Sequence, residues 1–145
     1  MILFEKTGVV TSKQDKTNLF FDFAVPENMN RIILDYSYSP KTVESEETAL
    51  DLIKDKMEQY GAGGKAEDYM PVKNLITLSL NDEKGYRGAA HRQAAVQHHE
   101  ISRNFADAGF IKGEINSGVW QLALNVHCCA CDVQYKIVIA GEEAI

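Results

Sequence analysis

Period-two alternation of apolar and polar residues dominates the chain. In TNLFFDFAV, Leu19, Phe21, Phe23 and Val25 share one face and Asp22 lies on the other. In RIILDYSY, Ile32, Leu34, Tyr36 and Tyr38 stand together against Asp35 and Ser37. LITLSL sets Ile76, Leu78 and Leu80 against Thr77 and Ser79. VWQLALNV groups Trp120, Leu122, Leu124 and Val126, and VQYKIVI groups Val133, Tyr135, Ile137 and Ile139. One apolar face per segment is the pattern of half-buried antiparallel strands. Two weaker strands are expected at residues 2–11 and 95–102. Pro26-Glu27-Asn28, Ser39-Pro40, Asn81-Asp82 and the stretch from Gly113 to Gly118 supply the turns between them.

One segment departs from this pattern. In SEETALDLIKDKMEQYG, Ala49, Ile53, Met57 and Tyr60 recur at helical spacing, with Leu50 and Leu52 beside them. Ser45 suits the N-cap, Glu46 and Glu47 suit the positive end of the helix dipole, and Gly61 suits the C-terminal stop. Residues 61–72 read as a flexible return loop. The expected fold is therefore mainly β: an antiparallel two-sheet β-sandwich, jelly-roll-like, with one inserted α-helix around residues 45–60. A chain of 145 residues without a linker or internal repeat reads as a single domain, 1–145.

Two short stretches carry candidate chemistry. The first is NDEKGYRGAAHR, residues 81–92. Arg87 and Arg92 offer planar donor forks suited to a carboxylate or phosphate, and His91 could titrate or bind a metal. With Asp82, these residues define a possible anion site. The structural alternative pairs Arg87 with Asp82 to brace the turn, with Gly88 allowing close backbone approach. The second is HCCAC, residues 127–131. If the strand continues through it, His127, Cys129 and Cys131 share a face, and imidazole with thiolates suits zinc. His98 and His99 would complete such a site only if the fold brought them near. On a straight strand they face opposite ways. The plainer reading makes the cysteines small buried apolar groups near a turn. No nucleophile elbow, phosphate-binding glycine loop or HExxH motif is present.

Charge narrows the partners. The formal net charge is −6 and the isoelectric point about 5.2, which disfavours a nucleic-acid-binding surface. Neither a signal peptide nor an apolar run long enough to span a membrane is visible. Three clustered cysteines do not make a disulfide framework, and a reduced, cytoplasmic protein is the expectation.

The order of motifs resembles the β-sandwich domain that precedes the catalytic domain in some bacterial metal-dependent hydrolases of the polymerase-and-histidinol-phosphatase (PHP) group. The resemblance rests on Tyr38 and Pro40, on Asp82, Gly85, Arg87 and Gly88, and on Gly109, Phe110, Gly113, Ile115, Gly118 and Trp120. The Asp-x-His-x-His segment that opens the metal site in that family is absent here. The resemblance therefore implies an accessory module without catalysis or cofactor, whose partner is a catalytic domain or another protein. The competing expectation is a small metal-dependent or anion-binding hydrolase built on the Arg87, His91 and Arg92 loop.

Overall fold

The computed structural model describes residues 1–91 and 94–144. It contains eight strands: β1 (Ile2–Val10), β2 (Asn18–Val25), β3 (Met29–Ser39), β4 (Leu75–Asp82), β5 (Gly85–Ala90), β6 (Val96–Ser102), β7 (Gly118–Cys128) and β8 (Val133–Glu143). One helix, α1 (Glu46–Tyr60), lies between β3 and β4. The strands form two four-stranded antiparallel sheets, ordered β1-β8-β3-β6 and β2-β7-β4-β5. Between them lies a core made by the predicted apolar faces. Ile32, Leu34, Ile76, Leu78, Leu80, Trp120, Leu122, Leu124, Ile137 and Ile139 are fully buried. The two tyrosines of β3 also point inward, and the Tyr36 hydroxyl donates across the core to the Ile76 carbonyl at 3.0 Å. Burial pushes that phenol pKa up. Among the described residues no helix is long and apolar enough to cross a membrane.

The helix matches its sequence signals. The Ser45 hydroxyl accepts from the Thr48 N–H at 3.2 Å, and Gly61 ends the helix in the left-handed region at φ 65°. Ala49 and Ile53 are its buried residues. The insertion carrying α1 is tied at its base by a short antiparallel ladder. Val43 donates to Val72 at 2.8 Å and Asn74 donates to Lys41 at 2.7 Å, with Thr42 facing Lys73. The return segment 61–72 is more ordered in form than a plain loop, since a short 3₁₀ turn occupies Ala66–Tyr69.

The connection from β6 to β7 closes one flank. Its residues 105–107 lie along the free edge of β6, where Asp107 donates to the Glu100 carbonyl at 3.0 Å. Residues 109–111 then lie along the free edge of β5, with Ala89 donating to Gly109 and Ile111 donating to Arg87, both at 3.0 Å. Each edge is thereby covered over part of its length, which removes some of the unpaired backbone groups that invite another chain. On the opposite flank β1 and β2 are open edges. Phe4 joins them by packing on Phe21 and Phe23, at centroid distances of 6.0 and 5.9 Å. Lys6 stands opposite Ile137, on the core side of β1, yet remains exposed. A strand added there would have to cover that charge.

Candidate functional site

The stretch 81–92 is more regular than a polar connection. Residues 85–90 form β5, paired with β4, and the register slips by one between Leu80 and Asn81. Leu80 faces Gly88 whereas Asn81 faces Tyr86, so Arg87 is the extra residue of a bulge. The bulge turns its side chain into the end of the sandwich. The preceding turn is built by Asp82, whose Oδ1 accepts from the Lys84 and Gly85 N–H groups at 2.7 and 3.0 Å.

Arg87 is buried, and its donors are committed within the protein. Nη1 donates to Asp82 Oδ2 at 3.1 Å and to the Glu114 carbonyl at 2.8 Å. Nη2 donates to the Gly113 carbonyl at 3.1 Å and Nε to the Ile111 carbonyl at 2.9 Å. The guanidinium lies 5.2 Å from the Trp120 ring centroid, over the ring, and Trp120 Nε1 donates to the Asn116 carbonyl at 2.8 Å. Gly88, at φ 128°, lets the 109–111 segment approach; a Cβ there would lie 2.5 Å from the Gly109 oxygen and the Phe110 Cα. The bracing role of Asp82, Arg87 and Gly88 is thus what the geometry displays. Burial alone would raise the Asp82 carboxyl pKa. The Lys84 amide, the Arg87 guanidinium and the Gly85 amide together outweigh it and hold the group below its ordinary value. For an external anion, Arg87 has little left to offer.

The remaining members of that candidate do not join it. His91 is exposed and stands edge-on to His127, centroids 6.3 Å apart, on the outer side of the second sheet. Arg92 lies outside the described residues. His98 and His99 face opposite ways, as alternation requires. His98 points outward to Asp35 at 2.6 Å, while His99 is buried against Phe110 and meets Gln97 Oε1 at 2.8 Å.

The segment 127–131 does not continue as a strand, because β7 ends at Cys128 and the chain turns at 130–131. The shared face expected for His127, Cys129 and Cys131 is therefore lost. His127 is exposed, with Nε2 2.8 Å from the Thr77 hydroxyl. Cys129 is buried, and its thiol donates to the Cys131 carbonyl at 3.1 Å. Burial, with the neighbouring Cys131 and Asp15, pushes its pKa up to about 11. The Cys131 sulfur accepts from Asn74 Nδ2 at 3.4 Å. Among the described residues no three His, Cys, Asp or Glu side chains converge in a metal-ligating arrangement.

Two features that motif reading missed remain. The first is the outer face of the second sheet. Of the charged residues in β2, β4, β5 and β7, Asp82 and Arg87 are buried against each other, which leaves Asp22 alone on the surface of the sheet. Its other outward positions carry amides, hydroxyls, small groups and the imidazole of His127, flanked by Phe20 and Tyr86, each 61% exposed, and Val119. Phe20 and Tyr86 stand on the two outermost strands, β2 and β5. The outer face of the first sheet is the opposite: Arg31 pairs with Glu100 and Glu142, and His98 with Asp35. The second feature is a cleft of about 580 Å³ between α1 and the 128–130 segment.

No family model matches the chain, and no curated protein does.

Proposed function

We propose that the chain is a non-catalytic β-sandwich module that binds a partner protein, the accessory role implied by its resemblance to the PHP-associated domain, and that its strand order is that of a jelly roll. The observation that carries this is the outer face of the second sheet. A four-stranded face on which, among the described residues of its strands, Asp22 is the only Asp, Glu, Lys or Arg at the surface is unusual on a chain of net charge −6. Loss of charge with aromatic residues retained is the composition of an interface core. The competing hydrolase reading needs Arg87 free to hold an anion, and Arg87 is occupied by Asp82 and three carbonyls.

The partner of this reading is a PHP-type catalytic domain supplied as a separate chain. Titration calorimetry between the two should show saturable binding. Phe20→Asp should weaken it at least about tenfold, because it replaces an exposed aromatic contact residue with a charge. Lys136→Glu, on the outer face of the first sheet, should leave it unchanged. Binding indifferent to Phe20→Asp, no binding at all, or phosphoester turnover by the isolated chain would each overturn the proposal.

A further inference from the structure

The cleft beneath α1 has a chemistry of its own. Leu52, Met57 and Tyr60 of the helix form one wall, Tyr69 and Val72 of the return segment another, and Cys128 to Ala130 the floor. Its volume of about 580 Å³ lies within the range of small-molecule sites, roughly 300–1,000 Å³. Lysines gather around this apolar lining. Lys16 and Lys56 belong to the lining itself. Lys41 stands beside the floor: its Nζ donates to the Asn74 carbonyl at 2.6 Å, and Asn74 Oδ1 accepts from the Ala130 N–H at 2.8 Å. These three lysines are the cations that act on the Cys128 thiol, opposing the upward push of burial and of Asp15.

Two carboxylates of the lining, Asp15 and Asp55, offset part of this charge. Asp15 accepts the Cys129 N–H at 2.7 Å and contacts Lys16 at 3.4 Å, so it is engaged. Asp55 belongs to the lining, as Lys56 does. Among the described residues neither Lys41 nor Lys56 has a carboxylate within ion-pair distance. Lys56 instead lies over the Tyr60 ring, 5.8 Å from its centroid. An apolar trough bordered by Lys41 and Lys56, neither of them ion-paired, is complementary to one kind of small molecule.

We infer that the cleft binds a small anionic amphiphile, with its hydrocarbon body between α1 and the 128–130 floor and its carboxylate beside Lys56. The site lies on residues other than the protein-docking face, so either reading can fail alone.

Dodecanoate below its micelle concentration is the probe, and amide chemical shifts of the intact chain are the readout. Saturable shifts confined to residues 49–60 and 127–131 are expected. Lys56→Glu changes an exposed position and preserves folding. It should weaken binding about fivefold, as expected for reversing one partly exposed charge contact. Leu52→Glu should abolish binding, with the dispersed spectrum confirming a folded chain. Equal binding of dodecyltrimethylammonium or 1-dodecanol would overturn the inference, because charge would then play no part. Shifts scattered over the surface, or unchanged affinity in Lys56→Glu, would overturn it too.

Discussion

The two ends of the sandwich are closed by opposite means. At the end where β4 passes into β5, a buried guanidinium holds one carboxylate and three carbonyls and lies over Trp120. At the other end an amphipathic helix on a short stem lies across the opening, anchored by Ala49 and Ile53, and leaves a cleft. Directional hydrogen bonds leave each donor a single place to go, so that end has no slack. Apolar packing has no such direction and tolerates a gap. The largest effect should come from breaking the directional end. Arg87→Met keeps most of the side-chain volume but strands Asp82 and three carbonyls. It should cost about 3–5 kcal/mol, the usual penalty for removing one partner of a buried pair. Urea denaturation measures this. Adding Asp82→Asn should recover part of the loss. A cost under about 1 kcal/mol would erase the distinction between the ends.

Glycines sharpen the contrast at a smaller scale. Gly88 and Gly61 both have positive φ, 128° and 65°. A Cβ at Gly88 meets the backbone of Gly109 and Phe110, whereas at Gly61 it meets nothing within 4 Å. Gly88→Ala therefore adds a backbone collision to the conformational strain, and should cost at least about 3 kcal/mol. Gly61→Ala carries the strain alone, about 1 kcal/mol. Ser45→Ala removes the N-cap hydrogen bond and should cost a similar amount, about 1 kcal/mol. Hydrogen exchange separates these classes. The helix variants should speed exchange within 46–60 only, while Gly88→Ala should speed it through β4, β5 and β7 together.

Both closures were partly legible in the sequence. Asp82 and Arg87 are five residues apart across a glycine turn, close enough for their pairing to follow from local chemistry. Ser45 and Gly61 bracket the helix by rules that involve only neighbouring residues. What escaped depends on segments distant in the chain. GYRGAA has no apolar alternation, and becomes a strand because β4 pairs with one edge and residues 109–111 cover the other. The cleft joins residues 12–16, 52–72 and 128–130, which no local pattern links. The nearly uncharged outer face could be read only once β2, β7, β4 and β5 were known to be one sheet. His127, Cys129 and Cys131 misled because the expected shared face assumed a strand that stops at Cys128.

The smallest effects are those of pH, and they carry opposite signs. The Asp82 pKa is depressed below its ordinary 3.8 in the folded chain. Its contribution is complete above that value and is lost as pH falls through the lower, folded one. The wild type should therefore lose stability in acid by an amount that Arg87→Met reduces. His98, on the charged face, behaves in reverse. Its hydrogen bond to Asp35 raises its pKa above 6.5, against a small opposing effect of burial, with Asp35 and Glu100 adding charge attraction. Its contribution is complete below pH 6.5 and is lost as pH rises through the folded value. Both partners are 56% exposed, so the amount is at most about 1 kcal/mol. Urea midpoints of wild type and His98→Gln should differ below pH 6.5 and converge toward pH 8.5, and added salt should shrink the difference. The corresponding difference between wild type and Arg87→Met should persist at neutral pH in high salt, because the Asp82–Arg87 pair is buried and the His98–Asp35 pair is not.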